Sequence, residues 1–257
     1  MIRNLARKVM PVGVVNLLKR LELRIFGEDK RFLNLDRSKI FDSIYREGFW
    51  GTDKVGQAGS GSGSHNQKIV QDYLDAVRSW LSRFDAPPSV VDLGCGDFHV
   101  GSRIAPLVRD YLACDVSGFV IERNREQWSG SNARFEVLDL AEDEIPRAQV
   151  GIVRQVLQHL GNAEIQSFVE HLNRNKPFEY LLISEHLPLE QGFKPNLPKK
   201  TGPGIRLFQR SGVVLTEPPF CLEALDLEVL CEQREDAYGV GGVIRTIAYR
   251  LRCAAEC

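Results

Sequence analysis

From residue 66 onward the chain alternates short apolar runs with stretches of helical periodicity, and this rhythm limits its fold more than any other feature. Ile69, Tyr73, Val77, Trp80, Leu81 and Phe84 recur on one helical face, and Asp85-Ala-Pro-Pro88 ends that helix. Strand-like runs follow at 89–93, 111–114, 133–138, 150–153 and 180–184. Helical patterns separate them at 101–108, 119–128 and 163–173. A strand–helix order of this kind predicts an α/β domain whose parallel sheet is covered on both faces. The rhythm breaks after Ser184, where a segment rich in Pro, Gly and Lys runs over 188–219. Two last strand-like runs, 225–233 and 243–251, are joined by Ala237-Tyr-Gly-Val-Gly-Gly242, a link short enough to predict an antiparallel pair.

Composition narrows the function classes. Lys and Arg number 33 against 34 Asp and Glu, for a net charge of −1. A chain-wide nucleic-acid footprint needs a basic excess, so nucleic acid is not an expected partner. No apolar run approaches the ~20 residues that span a bilayer. Cys95, Cys114, Cys221, Cys231, Cys253 and Cys257 form no C-x-x-C pair and no metal-ligand spacing. That usage reads as reduced thiols in a cytoplasmic protein, with no metal residues to name. Residues 1–31 are basic and amphipathic, interrupted by Pro11 and Gly13. They fit either peripheral contact with an anionic membrane or a short helical pair packed on the domain. Next come Tyr45 and Trp50, then the alternating Gly59-Ser-Gly-Ser-Gly-Ser64 run, read as a linker or as a lid whose amides meet a ligand. The expected division is residues 1–65, a basic segment with a Gly/Ser lid, and residues 66–257, a ligand-binding domain.

Chemistry concentrates where the first strand ends. Val90-Val91-Asp92-Leu93-Gly94-Cys95-Gly96 is an apolar strand entering a glycine turn, with a helical pattern beyond it. Gly94 and Gly96 permit the turn and a close approach of ligand to backbone. A dinucleotide fingerprint wants a third glycine where His99 stands, and Asp92 would repel a pyrophosphate while welcoming an ammonium group. Taken together the segment resembles the first motif of the class I S-adenosylmethionine-dependent methyltransferases, an acid-x-Gly-x-Gly turn. Asp115 stands where that family places an acid for the ribose hydroxyls, next to Val116. Asp139, followed by Leu140, matches the acid that meets the adenine edge. Gly151-Ile-Val-Arg154-Gln155-Val-Leu-Gln-His159-Leu is similar to its fourth strand and exit. Leu181-Leu-Ile-Ser-Glu185-His186-Leu looks like its fifth strand. The resemblance runs from about residue 66 to 187 and takes in the terminal strand pair. It implies a Rossmann-like, seven-stranded, mostly parallel sheet and S-adenosyl-L-methionine as cofactor, held by Asp92, Gly94, Cys95, Gly96, Asp115, Val116, Asp139, Leu140, Arg154 and Gln155. Taken singly, Asp115 or Asp139 also reads as a helix N-cap.

The resemblance further implies a methyl acceptor at the ends of the fourth and fifth strands. His159, His186 and Glu185 are the candidate bases for an acceptor hydroxyl, each with a packing or capping role as its alternative. His65, which ends the Gly/Ser run, could close over the site, and His99, in the helix after the glycine turn, reads as structural. Tyr45 and Trp50 are expected to wall the acceptor, and Arg206 and Arg210 in the 188–219 insertion to read an anionic group on it. The favoured reaction is O-methylation of a sugar, glycan or other small polar molecule. N-methylation of a small amine and a non-catalytic cofactor-binding scaffold are the alternatives. Glu217-Pro-Pro-Phe220 is similar in letters to the motif of base-amino methyltransferases, but that motif belongs after strand four, where this chain reads Arg154-Gln-Val-Leu157. The sequence leaves the oligomeric state open.

Overall fold

The computed structural model describes residues 30–51, 59–237 and 240–251. Most of the basic N-terminal segment, with Cys253 and Cys257, therefore lies outside the described residues. Seven strands form one sheet: β1 Ser89–Leu93, β2 Asp110–Asp115, β3 Ala133–Val137, β4 Ala148–Arg154, β5 Phe178–Pro188, β6 Ala224–Ala237 and β7 Val240–Leu251. Their order is β3-β2-β1-β4-β5-β7-β6. β1 to β5 run parallel, β7 is antiparallel to β5, and β6 is antiparallel to β7. The order reverses between β1 and β4, which places a crevice at the carboxyl ends of these strands. The strands begin and end within a few residues of their expected positions because each apolar run is bounded by Pro, Gly or charge.

Four longer helices complete the layers: α1 Arg37–Arg46, α2 Gln67–Leu81, α3 Gly118–Gln127 and α4 Asn162–Asn175. Asn66 caps α2 by accepting from the N–H groups of Lys68 and Ile69, and the apolar face of the helix buries Ile69, Tyr73, Val77, Trp80 and Leu81. Ser117 caps α3 in the same way, through Val120 N–H. The helix expected over 101–108 is instead one turn, Gly101–Ile104, followed by a 3-10 turn, Ala105–Leu107. Pro106 has no N–H to continue an α-helical ladder, so the chain tightens there.

The boundary expected at residue 65 does not separate two cores. Phe32, Ile40, Phe41 and Ile44 pack in one cluster with Val91, Leu93, Leu112 and Leu140. Asp42 of α1 reaches α3, accepting from Ser117 Oγ (2.6 Å) and Phe119 N–H (3.2 Å). No helix among the described residues is long and apolar enough to cross a membrane.

Candidate functional site

A cavity opens at the strand tips where the order reverses. It is lined from the glycine elbow, from the ends of β2, β4 and β5, from α1 and from the Gly/Ser segment. The elbow needs its glycines: Gly94 has φ +85° and Gly96 φ +55°, both left-handed. A Cβ on Gly94 would sit 2.3 Å from Val156 Cγ2, and one on Gly96 would sit 2.3 Å from Ser60 Oγ.

Three aspartates come together here. Asp92, at 6% exposure, accepts from Tyr111 O–H at 2.8 Å. Burial pushes its carboxyl up to about 7, against the pull of the Tyr111 hydrogen bond. Asp115 accepts from Gly96 N–H (3.0 Å) and Ser117 N–H (2.9 Å), so it ties the second strand tip to the elbow. Burial raises it to about 6, although both amides favour the charged form. Asp139 also lines the cavity, but α1 has claimed part of it. Arg37 Nε donates to Asp139 Oδ2 at 2.7 Å, and the same guanidinium pairs with Glu142 and Glu164. Any adenine amino group at Asp139 therefore shares that carboxylate with Arg37.

α1 forms one side of the cavity. Arg37, Phe41 and Tyr45 lie four residues apart, hence on one helical face, and all three line it. The Gly/Ser segment covers it too. Ser60 N–H donates to Asp97 Oδ2 (2.9 Å), Asp97 N–H donates to Ser60 Oγ (2.9 Å), and His65 Nε2 meets Asp97 Oδ2 at 2.5 Å. The His65 ring stacks on His99 at 4.6 Å. Burial would raise Asp97, but His65 and the Ser60 and His99 amides outweigh it and hold the carboxyl below its usual value. Arg154 Nη2 donates to Gly63 O at 2.6 Å and Nη1 to Ser64 Oγ at 3.3 Å, while its Nε has no partner. Gln155 holds a left-handed φ of +57°, donates its N–H to Ser184 O at 2.7 Å, and leaves its buried side-chain Nε2 unpaired. Strain of this kind persists only where the surroundings impose it.

The other end of the cavity is walled by Trp50, Gln158, His159, Leu160, His186, Pro203 and Ile205. His159 is 8% exposed and its ring lies 4.9 Å from that of Trp50. Burial, reinforced by the Lys199 ammonium, lowers it to about 3, so it stays neutral at ordinary pH. His186 Nδ1 faces Gln158 Oε1 at 2.9 Å and Nε2 faces Glu235 Oε2 at 2.5 Å. Gln158 Nε2 in turn approaches His159 Nε2 at 3.3 Å.

Three expected site residues lie off the cavity lining. Glu185 is 2% exposed and accepts from the N–H groups of Leu157 (2.8 Å) and Gln158 (3.0 Å). It thus braces the 3-10 turn Leu157–His159 rather than facing an acceptor. Burial raises its carboxyl to about 8. Arg206 is 1% exposed. It donates to Leu157 O (2.9 Å), Leu160 O (2.8 Å), Asn162 Oδ1 (2.7 Å) and Leu197 O (3.4 Å), so its charge is turned inward. Arg210 is exposed and lies outside the cavity lining. The remaining expected residues, Tyr45, Trp50, Asp92, Gly94, Cys95, Gly96, Asp115, Val116, Asp139, Leu140, Arg154, Gln155, His159 and His186, all line the one cavity. Sequence reasoning missed Arg37, Phe41, Gln158, Asp97 and Glu235. The i, i+4 spacing of Arg37, Phe41 and Tyr45 was the one usable signal, and nothing local marks Glu235. Among the described residues no group of three or more His, Cys, Asp or Glu is gathered as for a metal ion.

Comparison with solved structures places this arrangement. The N-methyltransferase NodS from Bradyrhizobium japonicum WM9, in complex with S-adenosyl-L-homocysteine, superposes with a TM-score of 0.56 at 14% identity. The match covers 82% of this chain and 99% of that one. The class I S-adenosylmethionine-dependent methyltransferase fold is the fold of this chain. Magnesium protoporphyrin IX methyltransferase (ChlM) from Synechocystis PCC 6803 with bound S-adenosylmethionine gives a TM-score of 0.52 at 14% identity, over 84% of this chain and 98% of that one. The N-terminal domain of EvdMO1, with S-adenosylhomocysteine bound, gives 0.50 at 14%, over 85% and 98%. No family model matches the sequence, and no curated protein matches it. The methyltransferase fold is thus carried by topology and strand-tip residues at an identity too low to transfer a substrate.

Proposed function

We propose that the chain is an S-adenosylmethionine-dependent methyltransferase acting on a hydroxyl of a small, uncharged acceptor, a sugar hydroxyl included. The donor fits the residues present. The positive-φ glycine elbow lines the cavity, and the buried Asp92 and Asp115 line it beside that elbow. Asp92 would take the donor's ammonium, Arg154 its carboxylate, Asp115 the ribose hydroxyls, and Asp139 with Arg37 the adenine edge. Bound there, the donor supplies a methyl group already activated on a sulfonium. The protein's work is then alignment and exclusion of water, and alignment alone accounts for roughly 7–11 kcal/mol in well-oriented reactions. The Gly/Ser segment clasped to Asp97 and the face of α1 exclude water over the elbow.

The observation that carries the acceptor reading is the far wall. It holds two buried imidazoles next to Trp50, Pro203 and Ile205. The insertion brings no free cation to it. Lys199 donates to the carbonyls of His159, Lys200 and Gly202, Arg206 is spent on the backbone, and Lys200 and Arg210 are exposed outside the lining. An anionic acceptor would find no partner there, whereas a hydroxyl finds hydrogen-bonding rings. The test is calorimetry with S-adenosylhomocysteine, followed by incubation with methyl-labelled donor and a panel of sugars, alkyl alcohols, phenols, amines and carboxylates. Binding lost in Asp115→Ala with the fold intact, and label on alcohols, support the reading. No binding, or label confined to carboxylates, overturns it. Label on amines makes the protein an N-methyltransferase instead.

A further inference from the structure

The polar side chains of the far wall, Gln158, His159 and His186, are committed to one another and to their supports. Gln158 Nε2 donates to Gln155 O at 3.3 Å, which orients the amide with its oxygen toward His186 Nδ1, at 2.9 Å. His186 Nε2 faces the Glu235 carboxylate at 2.5 Å. Both ring nitrogens of His186 thus meet groups that only accept, so the ring carries a hydrogen on each. The Gln158 amide nitrogen also faces His159 Nε2, at 3.3 Å. That nitrogen accepts, and the hydrogen of the neutral His159 ring sits on Nδ1. Burial and the Lys199 ammonium keep this ring from a second proton, lowering it to about 3. Glu185 lies off the lining, with one oxygen on the Leu157 amide and the other on the Gln158 amide. None of these groups has a lone pair left open to take a proton from a bound hydroxyl.

We propose that the acceptor is a phenol: a single acidic hydroxyl on a flat, otherwise apolar ring, ionised without help from a protein base. This rests on the O-methylation reading above and narrows it. A sugar or alkyl hydroxyl ionises too rarely on its own and needs a general base, an aid worth about 10²–10⁴-fold. A phenol is about as acidic as the tyrosine side chain, near 10, and gives its proton to water as it leaves solvent. The protein offers the resulting oxyanion no cation at the far wall, so its countercharge is the donor's sulfonium. The oxygen lone pair forms the bond to the methyl carbon as the methyl–sulfur bond breaks with its pair leaving on sulfur, and both charges vanish together. The walls select in the same direction. Trp50, Leu160, Pro203 and Ile205 line this end with apolar and aromatic surface. Trp50 is held by ring contacts to His159 at 4.9 Å and Tyr45 at 5.6 Å. A sugar brings several hydroxyls, each in need of a partner once buried, and the committed side chains have none to spare. A flat ring with one hydroxyl covers apolar wall without leaving polar groups unpaired.

The experiment has a binding arm and a turnover arm, both on the full chain, with phenol, cyclohexanol and glucose as probes. The binding arm is calorimetry of the protein saturated with S-adenosylhomocysteine. Phenol and cyclohexanol, each with one hydroxyl on an apolar ring, are expected to bind. Glucose is expected to bind at least a hundredfold more weakly, with about tenfold lost for each surplus hydroxyl left unpaired. The turnover arm uses methyl-labelled S-adenosylmethionine at one pH. Phenol is expected to take label at least about a hundredfold faster than cyclohexanol, the share a base would have supplied. Across para-substituted phenols, kcat/KM is expected to climb with the ionised fraction. Glucose bound as tightly as phenol overturns the proposal, as do cyclohexanol labelled as fast as phenol and a phenol series whose rates ignore acidity. Label on cyclohexanol or glucose in place of phenol keeps the O-methylation reading and sinks only this one. Label on no hydroxyl sinks both.

Discussion

Arg206→Met separates a structural arginine from a substrate-reading one. The side chain is 1% exposed and satisfies three close acceptors, Leu157 O, Leu160 O and Asn162 Oδ1. Methionine keeps much of the volume and removes every donor. Each buried acceptor left without a partner costs about 1–3 kcal/mol, and breaking a buried charged network by removing one member typically costs about 3–5 kcal/mol in all. Against a total stability of about 5–15 kcal/mol this is a large fraction, equivalent to a fall of roughly 6–20 °C in Tm for a domain of this size. Burial lowers Arg206 to about 10, so it remains charged at neutral pH and the comparison is between a cation and a neutral side chain. Glu185, deprived of a nearby cation, is pushed further toward its neutral form. The assay is thermal and urea unfolding with and without S-adenosylhomocysteine, followed by calorimetry below the transition. The expected result is a clear loss of stability with donor affinity within a few-fold of wild type. A variant as stable as wild type that no longer modifies its acceptor would refute the reasoning and return Arg206 to substrate binding.

Asp92 and Asp115 are held protonated up to about 7 and about 6 in the free protein, and a cationic ligand favours their ionised forms. Donor binding should therefore expel protons and tighten as pH rises from about 5.5 to about 8; calorimetry in buffers of different ionisation enthalpy reads both, and equal affinities at the two ends refute it. Asp97→Ala removes the acceptor of Ser60 N–H and the partner of His65. It should speed S-adenosylhomocysteine dissociation roughly tenfold in stopped-flow, the loss of one to two hydrogen bonds, and an unchanged rate would show that the Gly/Ser segment does not retain ligand. The membrane reading of the basic N-terminal segment predicts that removing residues 1–31 lowers binding to anionic vesicles and leaves donor affinity intact; equal partitioning of both chains discards it.

The sheet was legible because its signals are local. β1 is Ser-Val-Val-Asp-Leu, set between Pro88 and Gly94, and its limits follow from those breakers. Asp92 and Asp115 were legible for the same reason, since an acid at the tip of an apolar strand is a local anomaly. Arg206 was misread because charge in a Pro- and Gly-rich segment normally means solvent, and only the fold reveals that the segment folds inward to supply a donor for orphaned carbonyls. Glu185 was misread because its neighbours in sequence say nothing of the amides it caps 28 residues upstream. His186 was visible as a candidate, but its partner lies 49 residues on in an adjacent hairpin. Pairings at such separations are set by sheet order, which residue types alone do not encode.

Arg37 and Asp139, which meet at 2.7 Å, are separated by 102 positions along the chain. A ribosome therefore delivers the roof of the ligand chamber well before its floor. The helix carrying Arg37, Phe41 and Tyr45 must wait, its apolar face unclaimed, until three strands have emerged and paired. Ligand added to a truncated nascent chain that stops short of Asp139 would meet an unfinished room.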